Sequence, residues 1–335
     1  MKKILTFLIC SVFVISGCAR NVDYVAQSQK YPWVLAHAST TDTITSIFAD
    51  KFAEEVEELS DGRMQIEVYD NSTLGGDREL IESCLTKDVK FIVQNTAPQV
   101  PFMEQLAVFD LPMAYDDIND VREVLDDPNF RSIIDGIYED AGFKLLSFAD
   151  QDFRVMTTNK EIRSIDDFAG QKIRTMENSY HLMFWQNIHA NPTPMSFSEV
   201  YIGLQQKTID AQENPVEVIV SSNLYEQQKY IVETNHLPHL LSLITNNDFY
   251  KSLSKEDQEI IDQASENASE YAREQSDQRI EDRINICLEN GVTILELDDE
   301  TKEQMRELND GLYEDIKNEV GEELYNAYLM NAEWR

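Results

Sequence analysis

The chain has 335 residues, of which 62 are acidic and 28 are basic, so its formal net charge at pH 7 is −34. A surface of that sign repels nucleic-acid phosphates and anionic lipids, which argues against nucleic acid as a partner. The length exceeds what one hydrophobic core usually serves and predicts two lobes.

The amino terminus has the composition and order of an export signal. Two lysines precede an apolar run over residues 4–15, which is too short to span a bilayer permanently. The run ends in a sequence that resembles a bacterial lipobox, Val14-Ile15-Ser16-Gly17-Cys18. We therefore expect a lipoprotein signal peptide over residues 1–17, lipidation of Cys18, and a lipid-anchored tether over residues 18–30. The alternative is an ordinary secretory signal with an incidental cysteine.

Beyond the tether, apolar patterns of period two alternate with patterns of helical period. They predict strands over residues 33–37, 64–69 and 89–93, a helix over residues 44–59, and a second helix after the glycine turn at 75–76. Strands and helices that alternate at this interval are typical of βαβ units. The predicted fold class is therefore α/β with a mostly parallel sheet.

The chain is expected to pass twice between the lobes. Two strands, over residues 143–149 and 153–158, flank the polar residues 150–152, where the first crossing is predicted. A return crossing is predicted within residues 237–245, after further strands and helices. Two crossings mean that one lobe is inserted within the other.

The longest helical pattern covers residues 253–290 and would extend for about 50 Å, enough to brace both lobes. One more strand and a charged terminal helix follow it. These features predict the first lobe over residues 31–153, an inserted second lobe over 154–240, and completion of the first lobe over 241–335, which includes the long helix and the C-terminal helices.

Few residues suggest catalysis or metal binding. The sequence contains neither a glycine-rich phosphate loop nor a nucleophile elbow, so we predict no cofactor and no enzymatic activity. His236 and His239 flank a proline and are expected in a surface loop near the hinge, not at a metal. For Cys84 and Cys287 the sequence favours two buried free thiols, with a disulfide as the alternative.

Four motifs carry a resemblance to a known family. They are Phe153-Arg154-Val155-Met156-Thr157-Thr158-Asn159-Lys160, Ile165-Asp166-Asp167-Phe168-Ala169-Gly170-Gln171-Lys172-Ile173-Arg174, Asn191-Pro192-Thr193-Pro194-Met195-Ser196-Phe197-Ser198-Glu199-Val200-Tyr201 and Ile209-Asp210-Ala211-Gln212-Glu213-Asn214-Pro215. Together with Leu74-Gly75-Gly76-Asp77-Arg78-Glu79, they resemble the DctP-type substrate-binding subunits of TRAP transporters, the tripartite ATP-independent periplasmic systems.

That resemblance implies a two-lobed, periplasmic-binding-protein-like (Venus flytrap) fold with a long helix across both lobes. It also implies export to the periplasm or the outer face of the cell membrane. The expected function is capture of a small carboxylate, either a sugar acid such as a uronate or aldonate or a dicarboxylate, and its delivery by a monomer to TRAP membrane subunits. The alternatives are presentation of the ligand to a sensor kinase and a surface-anchored carbohydrate-active enzyme.

The resemblance also implies ligand-binding residues. Arg174 takes the position of the arginine that grips the ligand carboxylate, and a guanidinium suits this role because its planar fork matches a carboxylate. Arg154 takes the position of the second arginine, Asn214 that of an amide partner, and Phe197 that of a ring against the ligand's carbon skeleton. The alternatives are an Arg174 that only pairs with a protein acid and a Phe197 that only packs in the core.

Contributors from the first lobe are less sharply marked. Residues 37–42, 76–78 and 94–96 follow predicted strands or a glycine turn, where a cleft between lobes would lie. From these segments we take His37, Asp77 and Asn95 as candidate ligand-binding residues.

Overall fold

The computed structural model describes residues 32–332. The expected signal peptide, Cys18 and the whole tether lie outside the described residues. Eleven strands run through the described chain: β1 (Trp33–Ala36), β2 (Ile66–Tyr69), β3 (Phe91–Asn95), β4 (Phe143–Phe153), β5 (Val155–Thr158), β6 (Lys172–Thr175), β7 (Asn191–Pro194), β8 (Ala211–Asn214), β9 (Tyr230–Glu233), β10 (Pro238–Asn246) and β11 (Thr293–Glu296).

The same residues form twelve α-helices: α1 (Ile44–Leu59), α2 (Asp77–Leu85), α3 (Ile118–Asp126), α4 (Pro128–Asp140), α5 (Ser179–Asn187), α6 (Val200–Gln205), α7 (Val216–Ser221), α8 (Asn247–Ser252), α9 (Lys255–Glu289), α10 (Asp299–Leu308), α11 (Asp310–Val320) and α12 (Glu322–Tyr328). Short 3₁₀ turns, among them Glu104–Asp110 and Phe197–Glu199, connect several of these elements. Within residues 32–332, every helix is too short or too polar to serve as a membrane span.

The strands form two mixed sheets. The five-stranded sheet has the order β2-β1-β3-β10-β4, in which β1 is parallel to its neighbours and β10 is antiparallel to both of its own. The six-stranded sheet has the order β11-β9-β5-β8-β6-β7. We call the units built on these sheets the first and the second lobe. The prediction of a two-lobed α/β fold is confirmed.

Helix α9 extends through both lobes, as predicted. It contains 35 residues, which at 1.5 Å per residue gives a length of about 52 Å. Its amino-terminal half places Ala264 and Ala268 in the core beside β1 and α1. Its carboxyl-terminal half places Ile284 and Cys287 against the core of the second lobe. The small alanines let the helix approach the first sheet closely.

The predicted strand break at residues 150–152 is wrong, because β4 continues through them. Polar side chains there have partners that allow them to stay in a buried strand. The Nε atom of Arg122 donates to Asp150 at 2.8 Å, and Gln151 donates to the hydroxyl group of Thr45 at 2.9 Å. Buried polar groups that are hydrogen-bonded do not force a chain to the surface.

The C-terminal region differs from the single helix expected after the last strand. Three helices follow β11, and Gly321, with a φ of 82°, separates α11 from α12. Helix α11 contacts Glu104–Asp110 in the first lobe and α5 in the second. Strand β11 pairs with β9 in the second lobe. The lobe boundaries given above remain a prediction.

The two cysteines of the described chain are free and buried, which confirms the favoured expectation. Cys84 lies in a core cluster with Leu80 and Ile81, and Cys287 lies in the core of the second lobe with Ile231.

Candidate functional site

Two adjoining cavities lie between the lobes. Their volumes are about 100 Å³ and about 40 Å³, and Asp77, Arg174 and Met176 line both of them. Asp77 comes from the first residue of α2, whereas Arg174 and Met176 come from β6 and the residue after its end. The walls therefore join a carboxylate from the first lobe to a guanidinium from the second.

Arg174 is held rigidly at this wall. Strand β6 lies between β7 and β8, and the side chain of Arg174 is only 1% exposed. Its Nε and Nη2 atoms donate to the carbonyl oxygen of Met195 at 2.9 and 2.7 Å. Its Nη1 atom makes no hydrogen bond to any residue in the described part of the chain. Burial lowers the pKa of Arg174 to about 10 although Glu213 acts to raise it, so the group is a cation at neutral pH.

Phe197 supports the same guanidinium. The Cζ atom of Arg174 lies 5.8 Å from the centre of the Phe197 ring, a distance at which a cation and an aromatic face attract. Phe197 lines the second cavity beside Val218 and Leu241. The cavity thus has an apolar portion next to its cationic wall.

Asn214 lines the second cavity at the end of β8. Its Nδ2 atom donates to Gln212 Oε1 at 2.6 Å, and Gln212 donates in turn to the Thr157 hydroxyl at 2.9 Å. Its Oδ1 atom accepts a 3.3 Å hydrogen bond from Arg154. An amide nitrogen has two protons, so the second N–H of Asn214 is available to a ligand.

Arg154 lies behind this wall. It donates through Nε and Nη2 to the Glu213 carboxylate and through Nη2 to the Glu213 carbonyl oxygen at 2.7 Å. Its Nη1 atom contacts His239 Nδ1. Burial acts to raise the pKa of Glu213, but Arg154 and His236 together hold that pKa well below its usual range. Arg154 is not among the described residues that line either cavity.

The expectation that His236 and His239 lie in a surface loop is wrong. Both are buried. His236 donates to Glu213 at 3.2 Å, accepts from the Thr234 hydroxyl at 2.9 Å and stacks on Phe184. Burial lowers the pKa of each imidazole. The two side chains are thus neutral members of the network around Arg154.

Two candidates from the first lobe line the cavities. Asp77 accepts a 2.8 Å hydrogen bond from Gln94 Nε2, which leaves Gln94 Oε1 buried without a partner among the described residues. Burial raises the pKa of Asp77, while Gln94 and Arg174 act to lower it. Asn95 lines the second cavity, and its amide also donates to Leu240 O at 3.0 Å and accepts from the Ala97 N–H. The arrangement offers acceptors opposite the cation of Arg174.

His37 follows β1 and is buried, but it is not among the described residues that line either cavity. Burial lowers its pKa to about 4 although Asp70 acts to raise it. A direct contact between His37 and a ligand stays a prediction.

The lobes meet closely around the cavities. Asn178, which caps α5 in the second lobe, donates to Asp110 Oδ2 at 2.7 Å and to the Ala97 carbonyl at 3.0 Å. His181 reaches the other oxygen of Asp110 at 2.9 Å. The described conformation is therefore a closed one.

Sequence reasoning missed several of these groups. Met176 and His239 line a cavity but belong to no motif that singled them out. Gln94 lay within a segment expected at the cleft, yet only the hydrogen bond to Asp77 shows which way its amide is turned. That hydrogen bond joins residues on different elements, so no local pattern reveals it.

Comparison with known proteins gives a consistent result. The sequence model of the family described as bacterial extracellular solute-binding protein, family 7 (DctP), matches residues 35–319. A sugar acid binding protein from Advenella mimigardefordensis, solved with galactonate, is 30% identical with a TM-score of 0.85, over 90% of this chain and 97% of that one. A TRAP periplasmic solute-binding protein from a Polaromonas species, bound to D-erythronate, is 28% identical with a TM-score of 0.86, over 91% and 100%. The C4-dicarboxylate-binding protein DctB of Bacillus subtilis is 27% identical over 88% of this chain and 84% of its own.

Proposed function

Because the chain belongs to bacterial extracellular solute-binding protein family 7, as a DctP-type substrate-binding protein of a TRAP transporter, we propose that its cargo is a small hydroxylated monocarboxylate. One observation carries the proposal: the Arg174 Nη1 atom is a cationic donor, buried at the cavity wall and bonded to no described residue. A buried cationic donor without a hydrogen-bond partner is costly, and an anionic ligand that accepts from it removes that cost.

The geometry favours one edge of the guanidinium. The Met195 carbonyl oxygen occupies the edge formed by Nε and Nη2. A carboxylate would therefore bind across Nη1 and the second proton of Nη2. The remaining N–H of Asn214, which lines the same cavity, is a further donor to this carboxylate or to a hydroxyl group beside it. Phe197 would cover the carbon skeleton.

Groups on the opposite wall favour hydroxyl groups at the other end of the cargo. Asp77 and the Gln94 Oε1 atom are hydrogen-bond acceptors in the closed cleft. A second carboxylate near Asp77 would be repelled, because like charges interact strongly where little water enters. The galactonate and D-erythronate complexes of similar proteins support a sugar acid, whereas the name of the Bacillus subtilis relative supports a dicarboxylate.

Isothermal titration with D-galactonate, D-erythronate and succinate tests this proposal. Arg174→Ala should weaken binding of the hydroxy acids by more than 100-fold, since an unpaired buried charge costs about 3–5 kcal/mol. Arg163→Ala is the matched control, because Arg163 lies in the same lobe with a side chain that is 75% exposed. Binding of succinate alone would overturn the hydroxy-acid assignment. Equal affinities of the two variants would overturn the role of Arg174.

Delivery is proposed to follow from hinge closure. The cargo enters between open lobes with the boundaries predicted above, and the closed form is stabilised because it contacts the cargo from both sides. As a monomer in this form, the protein would present a joint surface of both lobes to the membrane subunits. Delivery is tested with vesicles that contain those membrane subunits. We expect the vesicles to take up the cargo only when the binding protein is added. Phosphorylation of a sensor kinase without uptake would favour the alternative partner, and turnover of the cargo would favour an enzyme.

The lipid anchor is a separate proposal, because Cys18 lies outside the described residues. The lipobox-like sequence and the polar residues 18–30 support an acylated amino terminus that tethers the binding protein to the membrane surface. Cys18→Ser should move the exported protein from the membrane fraction to the soluble fraction. An unchanged distribution would show that the signal is an ordinary one.

A further inference from the structure

Four charged side chains meet at one margin of the interlobe cleft. Asp42, just before α1, lies 2.6 Å from Arg279 and 2.7 Å from Arg283, both on α9. Glu217 on α7 lies 3.0 Å from Arg279 and 2.8 Å from Arg283. Each carboxylate is thus shared by two arginines, and each arginine by two carboxylates. We refer to these four side chains as the clasp.

The clasp crosses the boundary between the lobes at one residue. Helix α7 and this half of α9 pack in the core of the second lobe, where Ile219 and Ile284 belong to one cluster. Asp42 belongs to the first lobe and follows β1. The contacts of Glu217 therefore persist within the second lobe when the lobes separate, whereas the two contacts of Asp42 exist only in the closed form.

The backbone at Asp42 is shaped for these contacts. Its φ is 60°, a left-handed conformation that is uncommon for a residue other than glycine. In this conformation both its carboxylate and its carbonyl oxygen accept hydrogen bonds from Arg279, at 2.6 and 3.0 Å. Arg283 donates to the same carboxylate and carbonyl at 2.7 and 3.3 Å. Beside them, the Thr40 hydroxyl lies 3.3 Å from the hydroxyl groups of two serines on the second lobe.

Charge balance makes Asp42 important to closure. The side chains of Arg283 and Glu217 are 10% and 6% exposed, so this part of the clasp is largely removed from water. Burial raises the pKa of Glu217 to about 7, although Arg283 acts to lower it. Without Asp42, two arginines would share one carboxylate in a partly buried position, with an excess positive charge. Opening the lobes creates that imbalance.

We propose that Asp42, Glu217, Arg279 and Arg283 form an ionic clasp that stabilises the closed form, so that the affinity for cargo depends on Asp42 although Asp42 does not touch the cargo. Asp42 is not among the described residues that line either cavity. The inference goes beyond the proposed function and holds for any cargo bound between the lobes. Because the Asp42 side chain is 64% exposed, its contribution should weaken as ionic strength rises.

Asp42→Asn tests the clasp, and Asp61→Asn is its matched control. Both residues have a left-handed backbone, with φ of 60° and 52°, which asparagine tolerates. The distance between spin labels at Glu58→Cys and Gln186→Cys reports the closed fraction, measured without ligand and with D-galactonate, D-erythronate or succinate. In every sample Asp42→Asn should have a smaller closed fraction than Asp61→Asn. Equal fractions throughout would overturn the clasp.

The affinity for the cargo gives an independent measure of the contribution of the clasp to closure. For an acid that binds the Asp61→Asn protein, Asp42→Asn should weaken binding about 10-fold, mainly through faster dissociation, because the closed form that retains the cargo opens more readily. In a double-mutant cycle, Asp42→Asn and Arg279→Gln should be strongly non-additive, whereas additive effects would overturn the clasp. If none of the acids binds and the closed fraction still falls in Asp42→Asn, the proposed cargo is wrong and the clasp stands.

Discussion

Gly76 and Ser196 lie on opposite lobes, and a Cβ atom added at Gly76 would be 3.5 Å from the Ser196 Oγ atom. The same atom would be 3.1 Å from Glu79 Oε2. Gly76 has an extended backbone, with φ of −79°, that any residue can adopt. A methyl group at residue 76 would therefore be in ordinary contact with the other lobe, and the backbone here does not require glycine.

A large side chain at Gly76 should hold the lobes apart. We expect Gly76→Leu to leave the fold intact and to weaken ligand binding at least 10-fold, since the closed state becomes harder to reach. Gly136→Leu, at a helical glycine with open space around it, should bind like the wild type. Titration calorimetry measures the affinity and circular dichroism checks the fold. Wild-type affinity in Gly76→Leu would contradict the contact between the lobes.

The ion pair between Arg122 and Asp150 should contribute strongly to stability. Asp150 is fully buried and accepts from Arg122 at 2.8 and 2.9 Å. Asp150→Asn removes the buried one of the two carboxylates that pair with Arg122, the other being Asp277, and should lower the free energy of unfolding by about 2 kcal/mol. Asp248→Asn breaks the exposed pair with Lys87 and should cost less than about 1 kcal/mol. Urea denaturation compares the two. Equal losses would show that Arg122 stays hydrated without Asp150.

His37 should make stability fall in mild acid. Its pKa is about 4 in the folded protein and 6.5 in a model peptide, so the unfolded chain takes up a proton first as pH falls. The neutral His37 imidazole therefore contributes fully to stability above pH 6.5. Its contribution to the free energy of unfolding is lost as the pH falls from 6.5 to about 4, at up to about 1.4 kcal/mol per pH unit. His37→Asn should reduce this slope, and His189→Asn, at an exposed histidine, should not. The free energy of unfolding, measured between pH 4 and pH 7, gives this slope for each protein. Equal slopes for the wild type and His37→Asn would contradict a buried neutral imidazole at residue 37.

Cys84 and Cys287 should be unreactive until the protein unfolds. Burial raises the pKa of Cys84 to about 12 and that of Cys287 to about 11, so very little of either thiol is the reactive thiolate. Peptide-resolved mass spectrometry after iodoacetamide treatment should find neither residue labelled in the native protein and both labelled in guanidinium chloride. A disulfide-linked pair of peptides would contradict the free thiols.

Local patterns in the sequence predicted much of the fold. Helix α1 was predicted within its observed limits, because its apolar residues recur at helical spacing. Its N-cap is Thr43, the residue after the polar segment 39–42 that was expected to cap it. Strand β7 was not predicted. It contains Pro192 and Pro194, which cannot donate to a ladder, and it exists because it lies at the open edge of the second sheet. Edge position is a property of the assembled sheet and has no local signature.

The candidate site shows the same limit. The motif around Arg174 singled out the residue, but its partner is the Met195 carbonyl oxygen, and a backbone atom leaves no trace in sequence. Arg154 was singled out in the same way, whereas its engagement by Glu213 and His239 depends on strands far apart in the chain. Sequence identified which side chains are near the cleft. The described structure is needed to say which of their atoms are already bonded to protein.

The position of β10 has a consequence for the order in which the protein assembles. Strands β3 and β4 are both complete by residue 153, yet β10, which spans Pro238–Asn246, lies between them. The sheet of the first lobe therefore cannot close until five of the six strands of the second sheet, β5 to β9, have been synthesised. In a nascent chain of this topology β1, β2 and β3 can pair with one another early, but β4 and the free edge of β3 stay without their partner until β10 has been synthesised.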